Sequence, residues 1–232
     1  MTVINGYEQS DRNVKLDILN LPSLEARAKK IIPQGGFGYI VGGAEDDWTL
    51  EQNTKAFTHA QIVPKALSNI ENPDLSTNVF GIDLKTPVMM APAAAQGLSH
   101  SLGEKATAQG VAAVGGLMSQ STYSSVSIAD TQAAAPDAPQ FFQLYMSKDW
   151  DFNNALLDEA MKAGVKGIIL TVDATVDGYR EQDIINNFQF PIPMANLERF
   201  AAGDGKGKGI GEIYAAAAQK ISEADVRRIA EY

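Results

Sequence analysis

The residues best suited to chemistry follow a short apolar run near position 170. The run GIILTVD covers residues 167–173, and polar side chains occur in it and after it: Thr171, Asp173, Thr175, Asp177 and Arg180. The planar guanidinium of Arg180 could donate two parallel charged hydrogen bonds to a small carboxylate. From this stretch alone, a solvated arginine on an ordinary surface loop is the simpler interpretation.

The apolar run is the last of four similar units. Strands are predicted over residues 87–94, 115–122, 139–146 and 167–173, and helices are predicted over residues 102–114, from about 127–130 onward, and over 151–163. In the fourth strand the apolar residues do not alternate with polar ones, which predicts a strand buried on both faces of a parallel sheet. Strands that alternate with helices predict right-handed crossovers and an α/β fold.

The predicted strands end in small or polar residues that could reach one ligand. These residues are Ala94, Ser121, Gln143, Tyr145 and Thr171. In an α/β barrel this edge carries the active site. No predicted strand is followed by the G-x-G-x-x-G motif that an open dinucleotide-binding sheet normally shows. We therefore expect a barrel; the glycine-rich residues 200–214 follow no strand and predict a loop.

The N-terminal residues 1–86 are predicted to form a helical segment with a short hairpin that packs on the barrel. Ser23 is predicted to cap a helix over residues 24–31. The glycine pairs in residues 35–43 predict a tight turn that holds Tyr39 at a fixed position. Residues 44–59 predict a second helix, with Trp48, Leu50 and Phe57 as candidate buried residues.

Residues 87–232 are predicted to form the first half of the barrel. Residues 174–220 make a long insertion, which we interpret as a lid over the ligand site that includes Tyr214. A last helix is predicted to begin at Ser222, with Asp225 in its first turn.

Composition excludes several classes of function. The net charge is −9, which argues against nucleic-acid binding, and no apolar run reaches the roughly 18 residues of a membrane span. The sequence has no cysteine, so disulfides, thiolate nucleophiles and cysteine zinc sites are excluded, and no metal site is expected. The start of the sequence lacks a secretory signal pattern, and a cytoplasmic location fits.

Five motifs, in order, resemble the FMN-dependent α-hydroxy-acid oxidases. They are GGFGYIVGGAEDDWT, PVMMAPAAAQGLSH, LMSQSTYS, FFQLYMSKD and ILTVDATVDGYREQD. Each motif alone is weak, but the ordered set is specific. The resemblance implies a (β/α)8 TIM barrel with FMN at its C-terminal mouth.

The resemblance also implies roles for the residues at the strand ends. Backbone groups of Pro92, Ala93 and Ala94 would hold the flavin edge, and the side chains of Ser121, Gln143 and Thr171 would bond the ring. An alanine at position 94, instead of glycine, resembles the oxidase branch of the family.

The substrate would be bound by residues from three separate segments. Tyr39, Tyr145 and Arg180 would bind the carboxylate and hydroxyl of a 2-hydroxy acid, with Tyr145 as a catalytic residue, and Tyr214 would cover the site. The implied reaction oxidises lactate to pyruvate and reduces O2 to hydrogen peroxide. Glycolate, mandelate or a longer 2-hydroxy acid are alternative substrates.

The family pattern continues into four more strands that this sequence does not show. Those strands carry the histidine base, a second carboxylate-binding arginine and the FMN phosphate site. His59 and His100 are the histidines here, and neither has the matching context. We therefore expect about four βα units of a barrel within a homo-oligomer, such as a tetramer, or beside a complementary C-terminal half. A non-catalytic fragment or a split-barrel subunit is the alternative.

Overall fold

The computed structural model describes residues 7–174, 176–198, 203–218 and 220–232. Its helices are α1 (Leu21–Ala28), α2 (Gln34–Val41), α3 (Trp48–Lys55), α4 (Glu104–Ala113), α5 (Ile128–Ala134), α6 (Trp150–Ala163), α7 (Glu181–Ile185), α8 (Ile210–Tyr214) and α9 (Glu223–Ala230). Its strands are β1 (Thr77–Val79), β2 (Ile82–Leu84), β3 (Met118–Ser121), β4 (Gln140–Tyr145) and β5 (Gly167–Thr171). Within these residues no helix is long and apolar enough to cross a membrane.

The site is built on a parallel sheet in the order β3-β4-β5. In its register Ser121 pairs with Gln143, and Tyr145 pairs with Thr171. Because the strands are parallel and in sequence order, their carboxyl ends meet at one edge. The second, third and fourth predicted strands are therefore confirmed.

The prediction of a full strand over residues 87–94 is wrong. This segment forms an isolated parallel bridge between Met90 and Met118. Pro87 and Pro92 have no amide hydrogen to donate, so the ladder cannot extend in both directions. Met90 still donates to Leu117 O at 2.9 Å and accepts from Ser119 N at 2.9 Å, so the segment lies beside β3.

Helix α6 packs its apolar face on the sheet as predicted. Phe152, Leu156 and Ala160 are buried and form a cluster with Phe142 and Leu144 of β4. The Asp149 side chain accepts a hydrogen bond from Asp151 N at the helix start, and Gly164 ends the helix in the left-handed region at φ 81°. These caps define the two ends of the helix that connects β4 with β5.

The prediction that the fourth strand is buried on both faces is wrong for this chain. Ile168 in β5 is 37% exposed, and the following Val172 is 55% exposed. Among the described strands, β5 pairs only with β4, so its other side is an open edge. An unpaired parallel edge leaves backbone groups and apolar side chains accessible.

Two N-terminal predictions are wrong. Asn20, not Ser23, caps α1: its side chain accepts from Ser23 N at 2.9 Å, and Pro22 favours the start of a helix there. Residues 34–41 form helix α2 instead of a tight turn. A Cβ at Gly36 would lie 1.9 Å from the Tyr7 hydroxyl, so the glycines allow close packing within a helix.

Helix α3 confirms part of the predicted second helix, but its candidate core residues are wrong. Trp48, Leu50 and Phe57 are 64%, 41% and 80% exposed, because no described segment packs over them. The hairpin is confirmed: β1 and β2 pair antiparallel through Phe80 and Gly81, both at positive φ. The capping box between Ser222 and Asp225 at the start of α9 is also confirmed.

Candidate active site

The predicted strand-end residues form a hydrogen-bonded row at the carboxyl edge of the sheet. Gln143 Nε2 donates to Thr171 Oγ1 at 2.8 Å, and Ser121 Oγ donates to Gln143 Oε1 at 3.2 Å. Thr122 N also donates to Gln143 Oε1, at 3.3 Å, which fixes the orientation of the amide. The structure thus brings these residues together as a neutral row of donors and acceptors.

Pro92, Ala93 and Ala94 lie beside this row, next to β3. Among the described residues, the amide N–H groups of Ala93 and Ala94 have no hydrogen-bond partner. The segment continues into Ala95, whose amide donates to Tyr123 O at 2.9 Å. Free backbone donors next to a neutral polar row form a surface that can bind a planar heterocycle with donors and acceptors along its edge.

Arg180 is partly buried and is held by two hydrogen bonds. Its Nε lies 2.6 Å from Asp183 Oδ2, and its Nη2 donates to Tyr39 O at 2.6 Å. The guanidinium also lies 5.0 Å from the centre of the Tyr39 ring. A fixed guanidinium is favourable for binding a carboxylate, because little side-chain entropy remains to be lost. This geometry contradicts the interpretation of Arg180 as a solvated surface arginine.

Tyr39 reaches this position through helix α2. Its ring stacks on Phe188 with centroids 5.3 Å apart and meets Phe190 edge-on at 5.0 Å. Burial raises the pKa of Tyr39 to about 12, although the nearby Arg180 guanidinium opposes the rise. The phenol is therefore neutral at physiological pH and can donate a hydrogen bond.

Tyr145 and Tyr214 form a hydroxyl pair near the sheet edge. Tyr214 OH donates to Tyr145 OH at 3.3 Å. Burial, followed by this hydrogen bond, raises the pKa of the Tyr214 phenol well above its usual value. With Tyr214 as donor, the hydrogen of the Tyr145 hydroxyl is available to a ligand.

Sequence analysis missed Tyr123 and Asp183. Tyr123 stacks on Tyr145 with centroids 4.9 Å apart, and burial raises the pKa of its phenol. Tyr123 follows β3 by two residues, so its place at the strand end was available as a signal. Asp183 lies three residues after Arg180, a spacing at which helical side chains meet.

The predicted lid, residues 174–220, packs against the site where it is described. Phe188, Phe190, Ile192, Met194 and Ile213 are buried with Ala95, Leu98 and Tyr123 in one apolar cluster. Residues 175, 199–202 and 219 of this segment, including part of the predicted glycine-rich loop, lie outside the described residues. The role of the segment as a lid stays a prediction.

A cavity of about 220 Å³ lies beside Arg180. Its lining includes Tyr39, Ala44, Val176, Arg180, Ile210 and Tyr214. This volume is large enough for a small carboxylic acid, and the lining offers the Arg180 cation, the Asp177 carboxylate and the phenols of Tyr39 and Tyr214. His59 and His100 do not line it.

The residues present fit a flavin ring by the chemistry of their donors. Ser121, Gln143 and Thr171 supply neutral donors and acceptors, and Ala93 and Ala94 supply free amides at the same edge. No described group of three or more His, Cys, Asp or Glu side chains could hold a metal ion. The neutral donors and acceptors at the sheet edge fit a planar organic cofactor.

The family model, the curated relatives and the solved structures that match this chain agree with one another. A family model described as FMN-dependent dehydrogenase matches residues 28–230. The L-lactate oxidase of Lentilactobacillus hilgardii is 72% identical over 232 residues, which cover the whole chain and 63% of that relative. A crystal structure assigned as a lactate oxidase of Pediococcus acidilactici has a TM-score of 0.91 at 70% identity, over 100% of this chain and 62% of that one.

A more distant structure shows the same architecture. The crystal structure of a mandelate oxidase with (S)-4-hydroxymandelic acid has a TM-score of 0.82 at 26% identity, and covers 92% of this chain and 61% of that one. The chain thus spans less than two thirds of the length of these relatives. The predicted fold class, a partial barrel, is confirmed. This chain belongs to the FMN-dependent dehydrogenase family, and its parallel sheet is part of a (β/α)8 barrel of that family.

Proposed function

We propose that this chain supplies the cofactor-ring and carboxylate-binding part of an FMN-dependent oxidase of 2-hydroxy acids, with L-lactate as the preferred substrate. The 72% identity with an L-lactate oxidase over the whole chain supports lactate in particular. The products would be pyruvate and hydrogen peroxide.

The observation that carries the proposal is the position of Arg180. Its Nε and Nη2 are used by Asp183 and Tyr39 O, and its Nη1 has no hydrogen-bond partner among the described residues. The guanidinium is thus anchored from one side and presents donors towards the cavity it lines. A carboxylate in this cavity would receive charge-assisted hydrogen bonds, which are stronger than neutral ones.

The tyrosines complete the binding groups for a 2-hydroxy acid. The Tyr39 hydroxyl would donate to the substrate carboxylate, and the Tyr145 hydroxyl would donate to the substrate α-hydroxyl oxygen. Tyr214 would hold Tyr145 in place and exclude water. Hydrogen bonds to a developing charge contribute most in such a desolvated site.

Ser121, Gln143, Thr171 and the segment Pro92–Ala94 would hold the cofactor ring at the edge of the sheet. When bound, FMN would supply the acceptor for the α-hydrogen of the substrate with its electron pair, and O2 would then take up the electrons. Neither His59 nor His100 lines the cavity, so we assign to this chain binding and orientation, not the removal of the hydroxyl proton.

The proposal includes a homo-oligomeric enzyme, such as a tetramer, in the cytoplasm. Phe57, Ile62, Val63 and Leu67 are 80% exposed or more, and such an apolar stretch supports an interface. The open edge of β5 supports a further covering segment, such as the complementary half expected from the family. The sequence has no cysteine, so the chain needs no oxidising compartment to form disulfides.

The experiment uses a fusion protein in which this chain replaces the matching part of the L. hilgardii relative. The purified fusion protein is titrated with FMN and then given L-lactate and O2 while hydrogen peroxide is measured. We expect stoichiometric FMN binding and peroxide formation that depends on both substrates. Stoichiometric FMN binding without turnover of any 2-hydroxy acid would contradict the proposed activity.

A matched pair of variants assigns the activity to the site. Arg180→Met removes the carboxylate-binding donors, while Arg227→Met removes an exposed arginine that pairs with Glu223 on α9. We expect loss of lactate turnover in the first variant and normal turnover in the second. Equal activity in both would show that Arg180 does not bind substrate.

A further inference from the structure

Glu104 is a fully buried carboxylate that the proposed chemistry does not use. It is the first residue of α4 and is 0% exposed. Within the described residues it forms no ion pair. A buried charge without an opposite charge is costly unless hydrogen bonds and local dipoles stabilise it. The hydrogen bonds of Glu104 therefore indicate what this residue does.

The Glu104 carboxylate joins two loops at the carboxyl edge of the sheet. Its Oε1 accepts from Gln96 N at 3.0 Å and from Ser125 N at 3.1 Å. Its Oε2 accepts from Ser125 Oγ at 2.6 Å. The N-terminus of the ten-residue helix α4 adds a favourable dipole. One loop follows Pro92–Ala94, and the other follows β3.

Three successive amides after Ala94 are held by this arrangement. Ala95 N donates to Tyr123 O at 2.9 Å, Gln96 N donates to Glu104, and Gly97 N donates to Ser125 Oγ at 2.8 Å. Ala95 has φ 49°, in the left-handed region that residues with a Cβ rarely adopt. The bonds on and after Ala95 hold the chain in this turn.

The turn fixes the direction of the amide that precedes it. Gln96 Nε2 donates to Ala93 O at 3.3 Å. The carbonyl of Ala93 and the N–H of Ala94 belong to one planar trans peptide, so they point in opposite directions. Holding the Ala93 oxygen therefore directs the Ala94 N–H away from Gln96. This N–H is one of the free amides at the proposed cofactor edge.

We propose that Glu104 is a positioning residue of the FMN site. Through Gln96 and Ser125 it sets the turn at Ala95 and thereby the direction of the Ala94 N–H towards the flavin ring. This inference rests on the proposed function, because it requires FMN beside Ala94. It predicts that removing the charge of Glu104 weakens cofactor binding and not only folding.

The test compares FMN binding by variants of the fusion protein. Glu104→Gln keeps the shape but removes the negative charge and replaces one of the two acceptor oxygens with an NH2 group. Since at least one charge-assisted hydrogen bond is lost, we expect the Kd for FMN to rise about 10-fold or more. Ser125→Ala removes one hydroxyl of the same network and should raise the Kd by about 3-fold.

The control is Leu156→Ala in the core of α6. This variant lowers the stability of the protein without touching either loop, so its Kd for FMN should stay within about twofold of the unmodified value. At saturating FMN, the shape of the visible flavin bands should change in Glu104→Gln and remain unchanged in Leu156→Ala. Fluorescence titration and absorption spectra measure both quantities.

Each outcome distinguishes a positioning role of Glu104 from a purely structural one. An unchanged Kd in Glu104→Gln would overturn the inference, as would an equal rise in Leu156→Ala. If Glu104→Gln does not fold, Ser125→Ala decides, and an unchanged Kd there overturns the inference. Failure of the unmodified fusion protein to bind FMN would instead contradict the proposed function, before any variant is compared.

Discussion

Arg180 and Asp183 form a close, largely desolvated ion pair in which Nε lies 2.6 Å from Oδ2. The side chain of Asp183 is 8% exposed, and its Oδ1 has no hydrogen-bond partner among the described residues. Asp183 and the Tyr39 carbonyl thus hold Nε and Nη2 of the guanidinium, and Nη1 has no hydrogen-bond partner among the described residues. This pair fixes the direction of the guanidinium, which supports the proposed role of Arg180 in binding a carboxylate.

The ion pair gives the first prediction. In the fusion protein, Arg180→Met should lower kcat/KM for lactate by roughly 10- to 150-fold, equivalent to about 1.5–3 kcal/mol for a charge-assisted hydrogen bond. Arg180→Lys should lie between this variant and the unmodified protein, since it keeps the charge but loses the planar fork. Asp183→Asn should lower kcat/KM by roughly 5- to 30-fold, because Arg180 loses its anchor.

The matched control for Asp183 is Glu181→Gln in the same short helix. Glu181 is exposed, so its replacement should leave kcat/KM unchanged. Steady-state kinetics with lactate as the varied substrate measures these effects. Equal behaviour of Asp183→Asn and Glu181→Gln would show that the buried pair does not position Arg180.

The second prediction concerns the hydroxyl pair of Tyr145 and Tyr214. Tyr214→Phe removes one neutral hydrogen bond at 3.3 Å but keeps the ring, so kcat/KM should fall only by roughly 2- to 12-fold. Tyr145→Phe removes the hydroxyl that would donate to the substrate, so it should lower kcat/KM more than Tyr214→Phe does. Tyr232→Phe serves as a control and should not change the kinetics, because Tyr232 follows α9 and its hydroxyl donates to Asn154 O of α6. A larger effect in Tyr214→Phe than in Tyr145→Phe would reverse the assigned roles.

The third prediction concerns alkaline pH. Burial raises the pKa of Tyr39 to about 12, above the usual value of a tyrosine in the unfolded chain. Folding therefore favours the protonated phenol. The stability from this group is present below about pH 10 and is lost as the pH rises towards about 12.

Two measurements test the titration. The ultraviolet absorption of tyrosinate should show a late component from the buried tyrosines, and this component should lose the contribution of one tyrosine in Tyr39→Phe. The free energy of unfolding, measured in urea, should decrease less steeply above about pH 10 in Tyr39→Phe than in the unmodified protein. If Tyr39 titrated with an ordinary tyrosine pKa, its hydroxyl would be accessible to water.

The fourth prediction concerns the contact between Gly36 in α2 and Tyr7. A Cβ at position 36 would lie 1.9 Å from the Tyr7 hydroxyl, so Gly36→Ala should destabilise the protein by about 1–3 kcal/mol. In a Tyr7→Ala background the clash is gone. There the same substitution should be neutral or stabilising by up to about 1 kcal/mol, because alanine favours a helix.

Gly110→Ala in α4 is the matched control for Gly36. A Cβ at Gly110 would meet no atom within 4 Å, so this substitution should stabilise the protein by about 0.5–1 kcal/mol. Urea unfolding of the four proteins and the control gives the comparison. An equal effect of Gly36→Ala with and without Tyr7 would show that the two residues are not in contact.

The sequence predicted which residues lie at the carboxyl edge of the sheet more accurately than it predicted the structure of the segments around that edge. Ser121, Gln143 and Thr171 were predictable because the period of the strands and the parallel order place strand ends together. The helical state of residues 34–41 was not, because its glycines suggested a turn, whereas in the structure Gly36 allows close packing of the helix against Tyr7 from a distant part of the sequence. The helix and turn propensities of neighbouring residues carry no information about such a contact.

Burial was the least predictable property for the same reason. Trp48 and Phe57 are apolar and were expected to be buried, yet burial depends on whether another segment covers them. The role of Asp183 also required the structure, since sequence analysis identified Arg180 but not the carboxylate that orients it. The resemblance to the family supplied residue roles that spacing alone left open.

The anaerobic reaction of the FMN-loaded fusion protein with L-lactate tests lactate oxidation at this site most directly. Without O2, L-lactate should bleach the flavin absorption rapidly, and faster than glycolate or mandelate does. Arg180→Met should slow the bleaching at low lactate by roughly 10- to 150-fold. Bound FMN that no 2-hydroxy acid bleaches, or equal rates with and without Arg180, would show that this site does not oxidise lactate as proposed.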